Sequence, residues 1–176
     1  MDITDKELGQ SKSLILAAET DDELGTVLRL HLALEHLLDF YLKQKRLGEV
    51  ASFVREPREF GAKLSLAVAF GFPVIIARVY RQVNIIRNKL AHEPGESIGS
   101  GDVQELARKV NGLSEIDPSF TSVERKYVEL AKKMPGEKLG FGSSGARIDV
   151  LIAIVAAYSF SVQWLVTNHY EPPQVA

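Results

Sequence analysis

The sequence predicts an all-α fold: a single-domain helical bundle of about four core helices, with two smaller helices packed outside. Apolar residues recur at the helical period along most of the chain, and no segment shows the alternation of a half-buried strand. Three helix-start patterns, Thr20-x-x-Glu23, Asp102-x-x-Glu105 and Thr121-x-x-Glu124, punctuate it. Core helices are expected near 22–46, 60–71, 73–92 and 145–169, and the outer pair near 102–113 and 122–134.

In chain order, Leu8–Ala18 reads as a short helix or an arm, and Thr20 with Glu23 opens the first long helix. Leu24, Val27, Leu28, Leu34, Leu38, Tyr41 and Leu42 supply its apolar face, and Gly48 lies just past its end. Gly48–Glu59 is a connection with a possible helical turn at Glu49–Val54. Phe60, Leu64, Ala67 and Val68 face inward on the next helix, which stops at Gly71. Pro73 then starts a helix running to His92, because a first turn does not need the missing donor. Glu93–Gly101 is a loop, and Val103, Leu106, Val110 and Leu113 are the inner face of the helix after it. Tyr127, Val128, Leu130 and Ala131 are the burial candidates of the second outer helix. Met134–Gly145 is a glycine-rich loop, the last helix is the most apolar, and Glu171–Ala176 is a tail.

Composition narrows the function. The chain has 176 residues, 45% of them hydrophobic, which is enough for one sizeable core spanning 1–176. A net charge of −2 supplies no global basic field, so any nucleic-acid contact must come from a local patch. With no cysteine, disulfides and thiolate metal sites are excluded. The polar, acidic opening MDITDKELGQSKS is unlike a secretory signal, and a cytoplasmic location is the expectation. Ile148–Val166 approaches the length of a membrane span, but Asp149, Ser159, Ser161 and Gln163 fit a surrounded core helix better, and no membrane partner is expected.

Several motifs carry little. Gly140-Phe141-Gly142-Ser143-Ser144-Gly145 matches the dinucleotide-binding glycine pattern, but that chemistry needs a strand feeding the loop and an acid about 20 residues on. A helix–helix connection, with Ser143 or Ser144 as the cap, is the expectation instead. His31, Glu35 and Asp39 form a polar row on one helix face. The Glu-x-x-His pairs that would complete a metal bundle are missing, so a solvated or interhelical hydrogen-bonding face is expected and neither metal nor cofactor. No helix-turn-helix with a basic recognition helix stands in the chain, so direct sequence-specific reading of DNA is not expected.

The stretch Tyr80–Pro94, YRQVNIIRNKLAHEP, is different. On a helical wheel Val79, Val83, Ile86 and Leu90 share one face, and Arg81, Asn84, Asn88 and His92 share the opposite one. Arg87 falls between, about 140° from His92. Cations near a helix C-terminus suit its dipole, but the dipole does not explain the asparagines.

Arg87-Asn88-x-x-x-His92 resembles the Arg-x(4–6)-His signature of the HEPN superfamily. The context, Leu34-Glu35-His36-Leu37-Leu38, then Phe60-Gly61-Ala62-Lys63-Leu64, then Ile85–Glu93, is also similar to the mannitol-operon repressor family, and the likeness covers about Asp21–Glu93. For nuclease members the resemblance implies metal-independent endoribonuclease activity, toxin-like or RNA-processing. His92 would be the acid/base, Arg87 the phosphate stabiliser and Asn88 a positioning hydrogen-bonder. Glu35, Arg81 and Asn84 would support them. A homodimer is implied, with RNA or a protein partner such as an antitoxin or regulator. The alternative is a non-catalytic regulatory adaptor working through protein contacts. His92 is expected to be exposed in a polar groove, within reach of Arg87 or Asn88 of its own chain or of a dimer mate.

Overall fold

The computed structural model describes residues 11–92, 95–130 and 132–169. The expected tail, the Leu8 start of the first helix, the Glu93-Pro94 break and the burial of Ala131 lie outside those residues. The fold is mostly helical: α1 (Ser11–Glu19), α2 (Glu23–Lys45), α3 (Val50–Phe53), α4 (Phe60–Ala69), α5 (Val74–His92), α6 (Ser100–Asn111) and α7 (Ala146–His169). A two-stranded antiparallel hairpin, β1 (Tyr127–Leu130) with β2 (Met134–Gly140), interrupts it, so the chain is not purely α-helical.

The core centres on α2, which packs on α1, α4, α5 and α7. Its Val27, Leu30, Leu34, Leu37, Leu38, Tyr41 and Leu42 are fully buried. Leu28, expected on that face, is exposed together with Leu32. Val79, Val83, Ile86 and Leu90 of α5 are buried as their spacing requires, and so are Val103, Leu106 and Val110 of α6. The Tyr41 hydroxyl donates to the Phe70 carbonyl at 2.8 Å, and Gly71, at φ 95°, turns the chain from α4 into α5 beside it. Tyr41 then meets Phe72 while His31 meets Asn84, which sets α2 and α5 antiparallel. α7 has the length and apolar content of a membrane span, but most of that stretch is buried inside the protein. Its first turn reaches back to the start of the chain, with Arg147 Nη1 donating to the Ala18 carbonyl at 3.3 Å.

Helix starts differ in detail from the patterns. Asp22, not Thr20, caps α2, its carboxylate accepting from the amides of Leu24 and Gly25. α6 begins two residues early, and Asp102 accepts from the Gly99 amide at 3.1 Å in its first turn.

The expected helix at 122–134 is absent. A 3₁₀ turn, Val123–Arg125, and the hairpin occupy that stretch. Asn111 Nδ2 donates to the Glu124 carboxylate at 3.0 Å, and Asn111 Oδ1 accepts from the Val123 amide at 2.9 Å. Glu124 therefore serves α6 and cannot reach back as a capping box would. Pro135 and Gly136, at φ 80°, prevent helix continuation, while Val128 and Leu130 turn inward with a strand's period of two. Tyr127, expected to be buried, points to solvent.

A strand thus does feed the Gly140–Gly145 loop, contrary to expectation, and neither serine caps α7. The Gly145 carbonyl begins that helix by accepting from Ile148 and Asp149. The loop still lacks a phosphate cradle, because the buried Asp149 carboxylate takes the Gly142 amide at 2.7 Å.

Candidate functional site

Three segments enclose a cavity of about 250 Å³. α2 contributes His31 and Glu35, α5 contributes Asn84, Arg87 and Asn88, and the turn entering α4 contributes Arg58, Glu59, Phe60 and Gly61. The antiparallel α2–α5 pairing makes this possible. His31 and Glu35 are one turn apart on α2, Asn84 and Asn88 one turn apart on α5, and the two short rows face each other.

Glu35 and Asp39 both converge on Lys63 of α4, whose Nζ lies 2.8 Å from Glu35 Oε1 and 2.8 Å from Asp39 Oδ1. Lys63 is almost fully buried, so the two carboxylates hold an ammonium in the protein's interior. Burial by itself lowers the Lys63 pKa, but the hydrogen bonds and charges of Asp39 and Glu35 outweigh it and the net shift is upward. The polar row of α2 thus joins α4 and α5, the interhelical one of the two roles open to it.

His31 is buried, with its ring against Phe60 at a centroid distance of 4.2 Å. Its Nε2 sits 3.0 Å from Asn84 Oδ1. An amide oxygen only accepts, so in this contact Nε2 carries the proton. Burial pulls the His31 pKa below its usual value and Arg87 pushes the same way, against the Asn84 hydrogen bond and the Glu35 charge. The neutral ring is therefore the favoured form at neutral pH.

A stability test follows from that shift. A base with a depressed folded pKa stabilises the fold above its unfolded pKa of 6.5, and the contribution falls as pH drops from there toward the folded value. Thermal melting should therefore decline for the wild type as pH falls below about 6.5, where the unfolded imidazole takes up the proton first. His31→Gln should flatten that slope; an unchanged slope in the variant would reject the assignment to His31.

Arg87 spans the cleft wall, with its Nη1 donating to Asn88 Oδ1 at 2.8 Å. Its Nε is buried without a hydrogen-bond partner. A buried donor left unsatisfied is costly, and such a group at a polar cavity is a natural place for an oxygen ligand to complete the bonding.

Of the residues singled out by sequence, the cavity gathers Glu35, Asn84, Arg87 and Asn88. It does not gather His92 or Arg81, which are exposed on α5. His92 is exposed as expected, but among the described residues no hydrogen bond links it to Arg87 or Asn88 of its own chain. The histidine of the cavity is His31, which sequence reasoning placed in the polar row without joining it to Asn84. Arg58 and Glu59 were missed altogether. The signal available for His31 was its spacing of four from Glu35, the same spacing that relates Asn84 to Asn88. Comparison with family profiles, with curated proteins and with solved structures finds no match for this chain.

Proposed function

We propose that this chain is a HEPN-like helical bundle that binds RNA across the α2–α5 face and cuts it without a metal. The observation that carries this reading is Arg87, a guanidinium held in place by Asn88 with its Nε buried and unpartnered at a polar cavity. A planar fork of donors that stays charged at all working pH values suits phosphate oxygens. Glu35 beside it is paired with Lys63, which weakens its opposition to a bound anion.

In this reading His92 is the acid/base for attack by a ribose 2′-hydroxyl, which also makes RNA and not DNA the substrate. Because His92 stands away from the Arg87 cavity on its own chain, a second copy completes the site. Exposed Leu28 and Leu32, one turn apart on α2, give that copy an apolar surface to cover. The setting is a cytoplasmic homodimer.

Two measurements test this. Light scattering should give a dimer at micromolar concentration, and Leu28→Glu with Leu32→Glu should shift it toward monomer. Purified protein incubated with total RNA and EDTA should cut the RNA. RNA left intact removes the enzyme and leaves the regulatory adaptor, which would capture protein partners from ribonuclease-treated lysate.

A further inference from the structure

A second cavity lies elsewhere, an open trough of about 520 Å³ between the β1 side of the hairpin and α7. Arg125 and Lys126 stand on one wall, and no carboxylate is among its lining residues. That is unusual for a chain of net charge −2. Two acids near it in sequence are engaged elsewhere: Glu124 accepts from Asn111, and Asp117 accepts from the amide and hydroxyl of Ser119. Among the described residues Arg125 forms no ion pair.

The same wall is aromatic. Lys126 Nζ lies 4.9 Å from the centre of the Phe120 ring, and Lys138 Nζ lies 4.6 Å from that of Tyr127. Phe160 of α7 meets Phe120 edge-on and forms part of the floor, and Gln163 offers an amide to the opening. Tyr127 is 51% exposed. Its cross-strand partner Gly140 has no side chain, and Lys138 lies over one face of the ring. Exposed aromatic surface beside cations, in a cleft of a size that takes small ligands, is the chemistry of single-stranded nucleic-acid grooves.

We propose that this trough binds an unpaired nucleotide of a single-stranded nucleic acid, with the base against Tyr127 and Phe160 and its phosphate on Arg125 and Lys126. The proposal rests on a surface distinct from the α2–α5 cleft and stands whether or not that cleft cuts RNA.

The test titrates the full chain with a short oligouridylate and its DNA counterpart, oligothymidylate, at low salt. The readout is fluorescence of Trp164, the sole tryptophan, which adjoins Gln163 and lines the continuation of the trough along α7. A saturable change is expected with at least one oligomer. It should weaken about tenfold in Arg125→Ala/Lys126→Ala, and the variant's affinity should depend less steeply on salt. Tyr127→Ala should weaken binding by a similar factor while Tyr127→Phe retains it, because the ring and not the hydroxyl stacks. Arg78→Ala, which removes an exposed cation of α5 that lines neither cavity, should bind as the wild type does, which separates this site from the general basic surface. The altered residues are exposed or, for Lys126, half-buried, and circular dichroism checks that the variants fold. Wild-type affinity in the double variant, an equal loss of affinity in Arg78→Ala, no saturable signal with either oligomer, or equal competition by a duplex would each overturn the proposal.

Discussion

His92→Ala and Arg87→Ala should each slow RNA cleavage by about 10²–10⁴-fold in the presence of EDTA, the range expected on losing a general acid or base. The two losses should differ in kind. His92 is exposed and fills no part of the core, so its alanine variant should keep wild-type stability to within about 0.5 kcal/mol and still bind RNA. Arg87 lines the cavity and would hold phosphate, so its variant should lose binding as well as cleavage. Arg87→Lys should not rescue, because an ammonium cannot offer the planar donor pair. Asn88→Ala, which releases the Arg87 Nη1 contact, should fall between. Mixing the two inactive variants gives the sharpest outcome. If the site forms across two chains, a mixed dimer pairs the intact Arg87 of one copy with the intact His92 of the other, and cleavage returns. Cleavage that persists in His92→Ala would sink the catalytic assignment.

Lys63→Ala should destabilise the fold by about 3 kcal/mol, the lower end of what breaking a buried ion pair costs. The removed ammonium leaves Glu35 and Asp39 facing each other without a counter-charge, with side chains 19% and 31% exposed, and that partial exposure sets the lower figure. Urea unfolding measures it. Adding Glu35→Gln and Asp39→Asn to Lys63→Ala should recover most of the loss, since the cost lies in the stranded charges. The pH dependence has a definite sign. The Lys63 pKa is raised in the fold, so its contribution is complete below the unfolded value of about 10.5 and disappears as pH rises through the higher folded value. A loss below about 1 kcal/mol would place the triad among ordinary surface ion pairs.

The long helices were legible because each carries a repeating apolar face, and α5 shows why that signal is dependable: Val79, Val83, Ile86 and Leu90 are all buried. The hairpin was not legible. Tyr127, Val128, Leu130 and Ala131 fit a helical face as well as Val128 and Leu130 fit a strand, and a four-residue strand offers too few positions to separate the periods. The tie-breaker is tertiary, the amide of Asn111 holding Glu124. The candidate site was half legible. A helical wheel places Asn84, Asn88 and His92 together on one helix, but a cavity is defined by what stands opposite. Opposite Asn84 stands His31, and which α2 residue faces which α5 residue depends on the Gly71 turn and the Tyr41–Phe70 contact that fix their register. His92 lies beyond the end of that facing stretch.

The Arg147–Ala18 hydrogen bond and the packing of α2 on α7 have a consequence for synthesis. The segment that bears Arg87 and His92 leaves the ribosome well before α7, yet α2 is buried only when α7 lies against it. Until then the α2–α5 pair carries uncovered leucines, and α1 lacks one of its two docking partners. Completion of the core around α2 therefore waits for the last helix. A chain interrupted before Ala146 carries every residue of the cleft and should still remain open, soluble only with a chaperone's help.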